Sequence, residues 1–496
     1  MKRLSLATLG GLPPAIARPG YDPGRTGVGI VHLGIGAFHR AQTAVYTDDA
    51  LAQEAGDWGI CGVSLRSPDA RDRLAPQDGL YTSVEKSPRG IRRRVIGSVR
   101  EVLFLGDERE RIQRRLAAAA TRIVSLTVTE KGYCHDPATG RLNFAHPDIV
   151  HDLAEPGEPL SAVGQIVAAL AERRANNARA FTVLCCDNLP HNGALLAGLV
   201  VALAGQRDAA LARWIEVSAS FPSTMVDRIV PATTERDIAD NDRALELHDA
   251  APVVHEPFKQ WVIEDRFVGG RPAWERAGVQ FVSDVAPFEA MKLRLLNASH
   301  SAFAYLGYLA GHEFIYQVAA QPAFVAFMRA LMRDEVAPTL KLPARTDVAA
   351  YQDALVERFA NPALPHRTQQ IAMDGSQKLP QRLLGTVRDN LAAGRKIDLL
   401  ALAVAGWMRY AAGIDETGGE IKVSDPMAPE LARIAAAHRA DPRALGKALL
   451  GVRAIFGQDL PDDSRFATAV TDWLELLYAE GAARAVQRAV RSSPER

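Results

Sequence analysis

Residues 29–49, GIVHLGIGAFHRAQTAVYTDD, decide how the first half of the chain folds. Residues 28–33 are a short apolar run broken by glycine that stops at Gly34, and residues 37–51 have helical composition. A strand, a tight glycine turn and a helix in that order open a dinucleotide-binding unit. Gly34 and Gly36 supply the first two glycines of the fingerprint, and His39 stands where the third belongs. The first two serve the turn and the approach of a pyrophosphate to the helix start at Ala37 and Phe38; losing the third relaxes only helix–strand packing. Alone, Gly-x-Gly is a weak signal, so the surrounding pattern has to carry the reading.

Working outward, strand composition recurs at 60–65, 94–99, 122–127 and 180–185, with helical stretches at 107–120 and 160–176 between the later ones. Such alternation predicts a doubly wound parallel sheet, and ligands bind outside the carboxyl ends of its strands. Thr129, Glu130 and Lys131 follow one of those ends; Asp187 and Asn188 follow another. Asp69, after the second strand, suits the ribose hydroxyls of NAD, or is an N-cap for a helix starting at Ala70. Arg66 beside it suits a 2′-phosphate instead. Asp227 and Arg228, in residues 221–231, read as an ion pair fixing a loop near the cofactor. We place a lead-in over 1–26, a Rossmann-type α/β domain over 27–286 and a mostly α-helical domain over 287–496, because leucine- and alanine-rich segments with short Pro/Gly connections fill the second half.

Residues 288–305, FEAMKLRLLNASHSAFAY, lack glycine and proline and read as helix. At 100° per residue, Glu289, Lys292, Asn297 and His300 share an arc of about 140°. An amine among apolar neighbours can lose its proton near neutral pH, an amide can donate to a developing alkoxide and an imidazole can orient a hydroxyl. A packed helix with one wet stripe is the competing reading. Composition adds exclusions. Lys+Arg and Asp+Glu both number 58, which gives no support to a nucleic-acid partner. Four cysteines show neither a disulfide framework nor a zinc spacing. Apolar runs are too short to span a membrane, and a cytoplasmic protein is expected.

The spacing K-x4-N-x2-H at Lys292, Asn297 and His300 resembles the signature of the mannitol dehydrogenase family, the polyol-specific long-chain dehydrogenases. Four further segments agree: residues 29–49, SLTVTEKGYC at 125–134, CCDNLPHNG at 185–193 and FPSTMVDRIVP at 221–231. The resemblance implies a metal-free oxidoreductase using NAD or NADP, and Asp69 tilts the expectation to NAD. It assigns Lys292 as general acid/base, Asn297 and Asn188 as ligands of the reacting oxygen, His300 as the group aligning the hydroxyl, and Glu289 as a proton relay or an anchor for the lysine. Two substrate subgroups compete, one interconverting mannonate and fructuronate, the other mannitol and fructose. A sugar acid needs a fixed cation for its carboxylate. Lys131, Arg367, Lys378 and Arg382 are the candidates, and they tilt the expectation to the acid. CDNLPHNG and GVSLRS look like the mannitol subgroup. A nucleotide-binding regulator without turnover is the rival of another class; the intact Lys292, Asn297, His300 and Asn188 set argues against it. A monomer or small homo-oligomer is expected, with a small sugar acid or polyol as its only partner.

Overall fold

The computed structural model describes residues 1–344 and 346–491. The chain divides into two compact units, Met1–Ala286 and Pro287–Arg496. The strands of the first unit are β1 Val28–Leu33, β2 Gly59–Ser64, β3 Tyr81–Ser87, β4 Gly90–Ile96, β5 Val99–Phe104, β6 Ile123–Leu126, β7 Thr182–Cys185, β8 Thr224–Asp227, β9 Val253–His255, β10 Gln260–Glu264 and β11 Gln280–Val282. The main sheet is parallel throughout, in the order β5-β2-β1-β6-β7. Side chains alternate between its faces. Val31, Leu33, Val63, Val124, Leu126 and Val183 enter one core with the helices Arg109–Ala117, Ala162–Ala175 and Asn192–Arg207. Ile30, Ile60, Val102, Ile123 and Leu184 enter the other with helix Thr43–Gln53, Trp261 and Trp274. Burial on both faces is why these strands read as nearly unbroken apolar runs. Strand order reverses between β1 and β6, which puts the ligand crevice of this sheet type at their carboxyl ends.

Two elements differ from the sequence reading. The expected strand at 94–99 is two strands in two sheets: β4, antiparallel to β3, and β5 at the edge of the main sheet. Gly97 and Ser98 make the crossing, held by the Gly97 N–H on Asp48 Oδ1 (2.8 Å) and the Ser98 hydroxyl on the Ala44 carbonyl (2.8 Å). The helix expected over 37–51 breaks at Gln42 (φ −118°, ψ −83°) into Ala37–Ala41 and Thr43–Gln53. The Gln42 amide donates to the Gln260 carbonyl at 2.7 Å, a tertiary bond that composition does not reveal. Within the lead-in, Leu4, Leu12 and Ile16 pack on Leu80, Val95 and Leu245.

The second unit is helical, with Ala298–Leu309 and Asp398–Ala411 packed against each other. Every residue of Asp398–Ala411 after its first is buried, as expected of a helix surrounded by others. Three π-helical turns, Lys292–Asn297, Leu331–Val336 and Pro380–Leu384, interrupt the α-helices, and the first touches both of the others. Glu335, buried in the second, accepts the Leu399 N–H (2.9 Å) and the Leu400 N–H (2.8 Å), satisfying donors left over at the start of helix Asp398–Ala411. Burial nevertheless outweighs those bonds and pushes its carboxyl up to about 7.

Between the unfolded-chain value of 4.5 and the folded value of about 7, only the folded state keeps the Glu335 proton. Stability is therefore full below pH 4.5 and falls as pH rises through 7, by about 3 kcal/mol at most. In Glu335→Gln the decline of the thermal midpoint between pH 5 and 8 should flatten relative to the parent chain; an unchanged slope would show that the carboxyl is ionised throughout.

Candidate active site

In the first unit the chain leaves β1 through Gly34, whose φ of +94° is open to glycine without steric cost. A Cβ at Gly34 would lie 2.2 Å from the Thr127 carbonyl oxygen, beyond the end of β6. At Gly36 a Cβ would meet only the Gly34 carbonyl, at 3.9 Å, so the space before it is open. Ala37 and Phe38 begin the short helix, and no side chain caps its first turn. An open glycine and uncapped N–H groups at the sheet's switch point fit a dinucleotide pyrophosphate.

His39, in the third-glycine place, stacks on His32 with ring centroids 3.4 Å apart. His32 in turn bonds Ser125 Oγ and Thr127 Oγ1, each at 2.8 Å, and the Thr127 hydroxyl donates to the Gly34 carbonyl at 2.8 Å. Burial drives both imidazoles down, His32 to about 3, so the pair stacks uncharged. The helix after β2 begins at Asp69 with Pro68 as its N-cap, which removes the capping reading of Asp69; its side chain stays exposed.

Two strand-end loops meet through Asp187. Its Oδ2 accepts the Val128 N–H (2.8 Å) and the Tyr133 hydroxyl (2.7 Å), and its Oδ1 the Thr129 N–H (3.3 Å). Thr129 holds a φ of +63°, a conformation that threonine pays for. Glu130 and Lys131 follow, exposed on the turn Glu130–Tyr133, and Asn188 sits exposed directly after Asp187. In the sequence Asp187 was legible only as a residue after a strand end; its clamp on residues 128–133 needs the parallel pairing of β6 and β7. Asp227 is buried at the end of β8. The expected Asp227–Arg228 pair does not form: the Arg228 guanidinium donates to the carbonyls of Ala41 (2.6 Å) and Glu256 (3.0 and 3.1 Å). Adjacent residues on an extended strand point to opposite faces, which keeps these two apart.

In the second unit the helix expected over 288–305 is present, but Lys292–Asn297 is a π turn rather than α. Its register is visible in the Ala298 N–H donating to the Leu293 carbonyl five residues back. On an α-helix Lys292 and Asn297 would stand about 140° apart. A π turn bonds each N–H to the carbonyl five residues back and so winds less per residue, which brings Asn297 nearer the face of Lys292 than an α-turn would. Glu289 lies in the α-turn just before and His300 just after.

His300 is half-buried, stacked on Phe359 (4.9 Å between centroids) and tilted against His366 (5.8 Å). Burial, then His366, Arg382, Arg358 and Lys378, hold its pKa well below the usual value, and its Nε2 is buried without a hydrogen-bond partner. Arg382 donates to Ser301 Oγ (3.0 Å) and the Asn297 carbonyl (3.4 Å); Lys378 donates to the Ile371 carbonyl (3.3 Å). Burial lowers the pKa of both cations. Neither has an ion-pair partner among the described residues. Arg367, by contrast, is 60% exposed and paired with Glu313, so its charge is already met on the surface. Phe359 and Arg358, which sequence reading missed, lie in the helix Val348–Phe359, remote in sequence from any motif.

The described residues contain one group able to approach a metal ion, Cys134, His146 and Asp148, with ligand atoms within 4.8 Å of one another. Its carboxylate is ion-paired with Arg66. All four cysteines are buried, and none is in a disulfide. No described helix is long and apolar enough to cross a membrane.

In Asp187→Asn one acceptor becomes a donor facing an N–H, which should cost about 1–3 kcal/mol. The thermal midpoint should fall and NADH binding, followed by fluorescence titration, should weaken; Tyr133→Phe should reproduce part of the loss. Unchanged midpoint and binding would mean the clamp holds nothing.

The Mannitol dehydrogenase Rossmann domain matches residues 28–276, and the Mannitol dehydrogenase C-terminal domain matches 284–478. D-mannonate oxidoreductase of Escherichia coli is 50% identical over 475 residues, covering 95% of this chain and 97% of that one. Mannitol 2-dehydrogenase of Pyricularia oryzae is 41% identical, covering 94% of each. Among solved structures, the Pseudomonas fluorescens mannitol 2-dehydrogenase ternary complex with NAD and D-mannitol aligns with a TM-score of 0.83 at 41% identity, covering 99% of this chain and 100% of that one. Matched across both of its units, the chain belongs to the mannitol dehydrogenase family.

Proposed function

We propose that this protein, an NAD-dependent oxidoreductase acting on a CH–OH group of a polyol or sugar acid, interconverts D-mannonate and D-fructuronate with Lys292 as general acid/base. One observation carries the choice of an acid. Lys378 and Arg382 are half-buried cations beside the uncharged His300, neither in an ion pair among the described residues, with Asp374 and Asp425 near enough to Lys378 to offset only part of its charge. Burying a charge costs several kcal/mol unless it is paired, and the carboxylate of a sugar acid is such a partner. The likeness to D-mannonate oxidoreductase at 50% identity points the same way. Mannitol and fructose form the second reading, favoured by the likeness to mannitol 2-dehydrogenases.

When bound, the coenzyme accepts or gives the hydride. Gly34, Gly36, Ala37 and Phe38 would hold its pyrophosphate, Asp69 its ribose, and Thr129, Glu130 and Asp227 the remainder. In oxidation the neutral amine of Lys292 takes the hydroxyl proton. Asn297 donates an amide N–H bond to the oxygen as charge builds on it, a role that the family signature gives also to Asn188. His300, kept neutral by burial and its cationic neighbours, presents one ring nitrogen as acceptor and one as donor to the sugar hydroxyls. Glu289 passes the proton on, and Lys131 remains a further candidate for the carboxylate.

Reduction of D-fructuronate by NADH should exceed reduction of D-fructose by at least ~100-fold in kcat/KM, the worth of a charge-assisted contact of about 3 kcal/mol. Arg382→Ala and Lys378→Gln should each raise KM for the acid ~10-fold or more and change KM for fructose by less than about threefold. Equal losses on both substrates would remove the carboxylate assignment and leave the mannitol reading. Lys292→Ala should reduce kcat by at least ~10³-fold with NADH binding unchanged; retained turnover would rule out the proton-transfer role.

A further inference from the structure

The connection after β2 carries two opposed signals for the adenosine end of the coenzyme. Asp69 is the acid that ribose hydroxyls prefer, whereas Arg66 and Arg71 are the cations that a 2′-phosphate prefers. The first unit resolves the conflict by how it pairs them. Arg71 is held by Asp72 (2.8 Å), Asp107 (2.7 Å) and Glu108 (3.7 Å). Arg66 is held by Asp148, in the first turn of helix Pro147–Ala154. The Asp69 carboxylate has no hydrogen bond or ion pair among the described residues; only its N–H is engaged, on Ser67 Oγ at 3.2 Å. Both neighbouring guanidiniums thus face other carboxylates, and neither is paired with Asp69.

The two arginines are not held equally. Arg71 answers three carboxylates, whereas Arg66 depends on one, and its side chain is 65% exposed against 14% for Asp148. Its backbone lies in the irregular connection between β2 and the helix Asp69–Leu74, so rotamer changes alone can carry the guanidinium elsewhere. Asp148 is the fixed partner: its backbone belongs to a helix and its N–H donates to His146 Nδ1 at 3.2 Å.

We propose that Asp148 is a coenzyme-specificity residue, acting at a distance from the coenzyme by withholding Arg66 from the adenosine ribose. The inference rests on the reading of Asp69 as the ribose ligand. With Asp148 in place, a 2′-phosphate meets the unpaired Asp69 carboxylate and no available arginine. Without it, Arg66 is free to form a forked contact to the phosphate, and it lies three residues from Asp69, near enough to offset that residue's repulsion.

Fluorescence titration of the full-length protein with NADH and NADPH tests this without any substrate. Asp148→Asn should tighten NADPH binding by about fivefold, the upper range for an exposed ion pair, and change NADH binding by less than about twofold. Arg66→Ala in the Asp148→Asn background should abolish the gain, and Asp148→Glu, which preserves the pair, should keep the parental ratio. An NADH-to-NADPH ratio unchanged in Asp148→Asn would overturn the proposal while leaving Asp69 intact as the ribose ligand. Asp69→Ala separates the two: weaker NADH binding supports the reading underneath, and unchanged NADH binding overturns both.

Discussion

The π turn at Lys292–Asn297, whose register shows in the Ala298 N–H reaching the Leu293 carbonyl five residues back instead of four, sets how the side chains of Lys292 and Asn297 stand to each other. Lysine and asparagine five residues apart are badly placed on an α-helix for one oxygen atom. The π turn supplies the missing rotation and keeps α-helical backbone on both sides. Such a turn is less well packed than an α-turn and persists only where its surroundings support it. Here Arg382 donates to the Asn297 carbonyl at the end of the turn, and the π turn holding Arg382 itself packs against it. One residue therefore supports the backbone of Asn297 and presents a cation beside His300.

The first unit solves a similar problem with sterics. The Thr127 carbonyl stands where a Gly34 side chain would be, so strands β1 and β6 can end close together only if that position is glycine. His32 and the Thr127 hydroxyl both bond the Gly34 carbonyl, at 3.2 and 2.8 Å, fixing the peptide that leads into Gly36. His39 then fills with an imidazole the contact that the usual third glycine makes through its absence of a side chain. Stacking two rings 3.4 Å apart works only while both are neutral, and burial ensures that. The degenerate fingerprint is thus a different packing solution at the same turn.

What the sequence revealed and what it hid follow from the range of the interactions. β1, β2, β6 and β7 were legible because burial on both faces leaves an apolar run in one local window. The break at Gln42 was not, because a bond to the Gln260 carbonyl 218 residues away makes it and no glycine or proline marks it. The crossing at Gly97 and Ser98 was misread because valine and isoleucine flank it, so two strands in different sheets look like one. Lys292, Asn297 and His300 were singled out by spacing and resemblance, but the turn that carries the first two was read as α when it is π, since π and α turns share the same composition. Arg228 was paired with its sequence neighbour when its true partners are carbonyls of Ala41 and Glu256. Charge pairs are the least legible features, because any nearby opposite charge looks adequate on paper.

Partnering separates groups that hold the fold from groups that await a ligand. Glu335 is a buried carboxyl in the second unit whose two oxygens each accept an N–H at a helix start, and it meets what burial still costs by keeping its proton up to about pH 7. Lys378 and Arg382 receive only neutral acceptors: one carbonyl for the first, one carbonyl and one hydroxyl for the second. Neutral acceptors satisfy donors without cancelling charge, and the uncancelled part raises the free energy of the empty protein. Stability alone would favour replacing these side chains or supplying an aspartate. Kept beside an imidazole that burial and the same positive field hold neutral, the two form a cation cluster that an anionic ligand would complete.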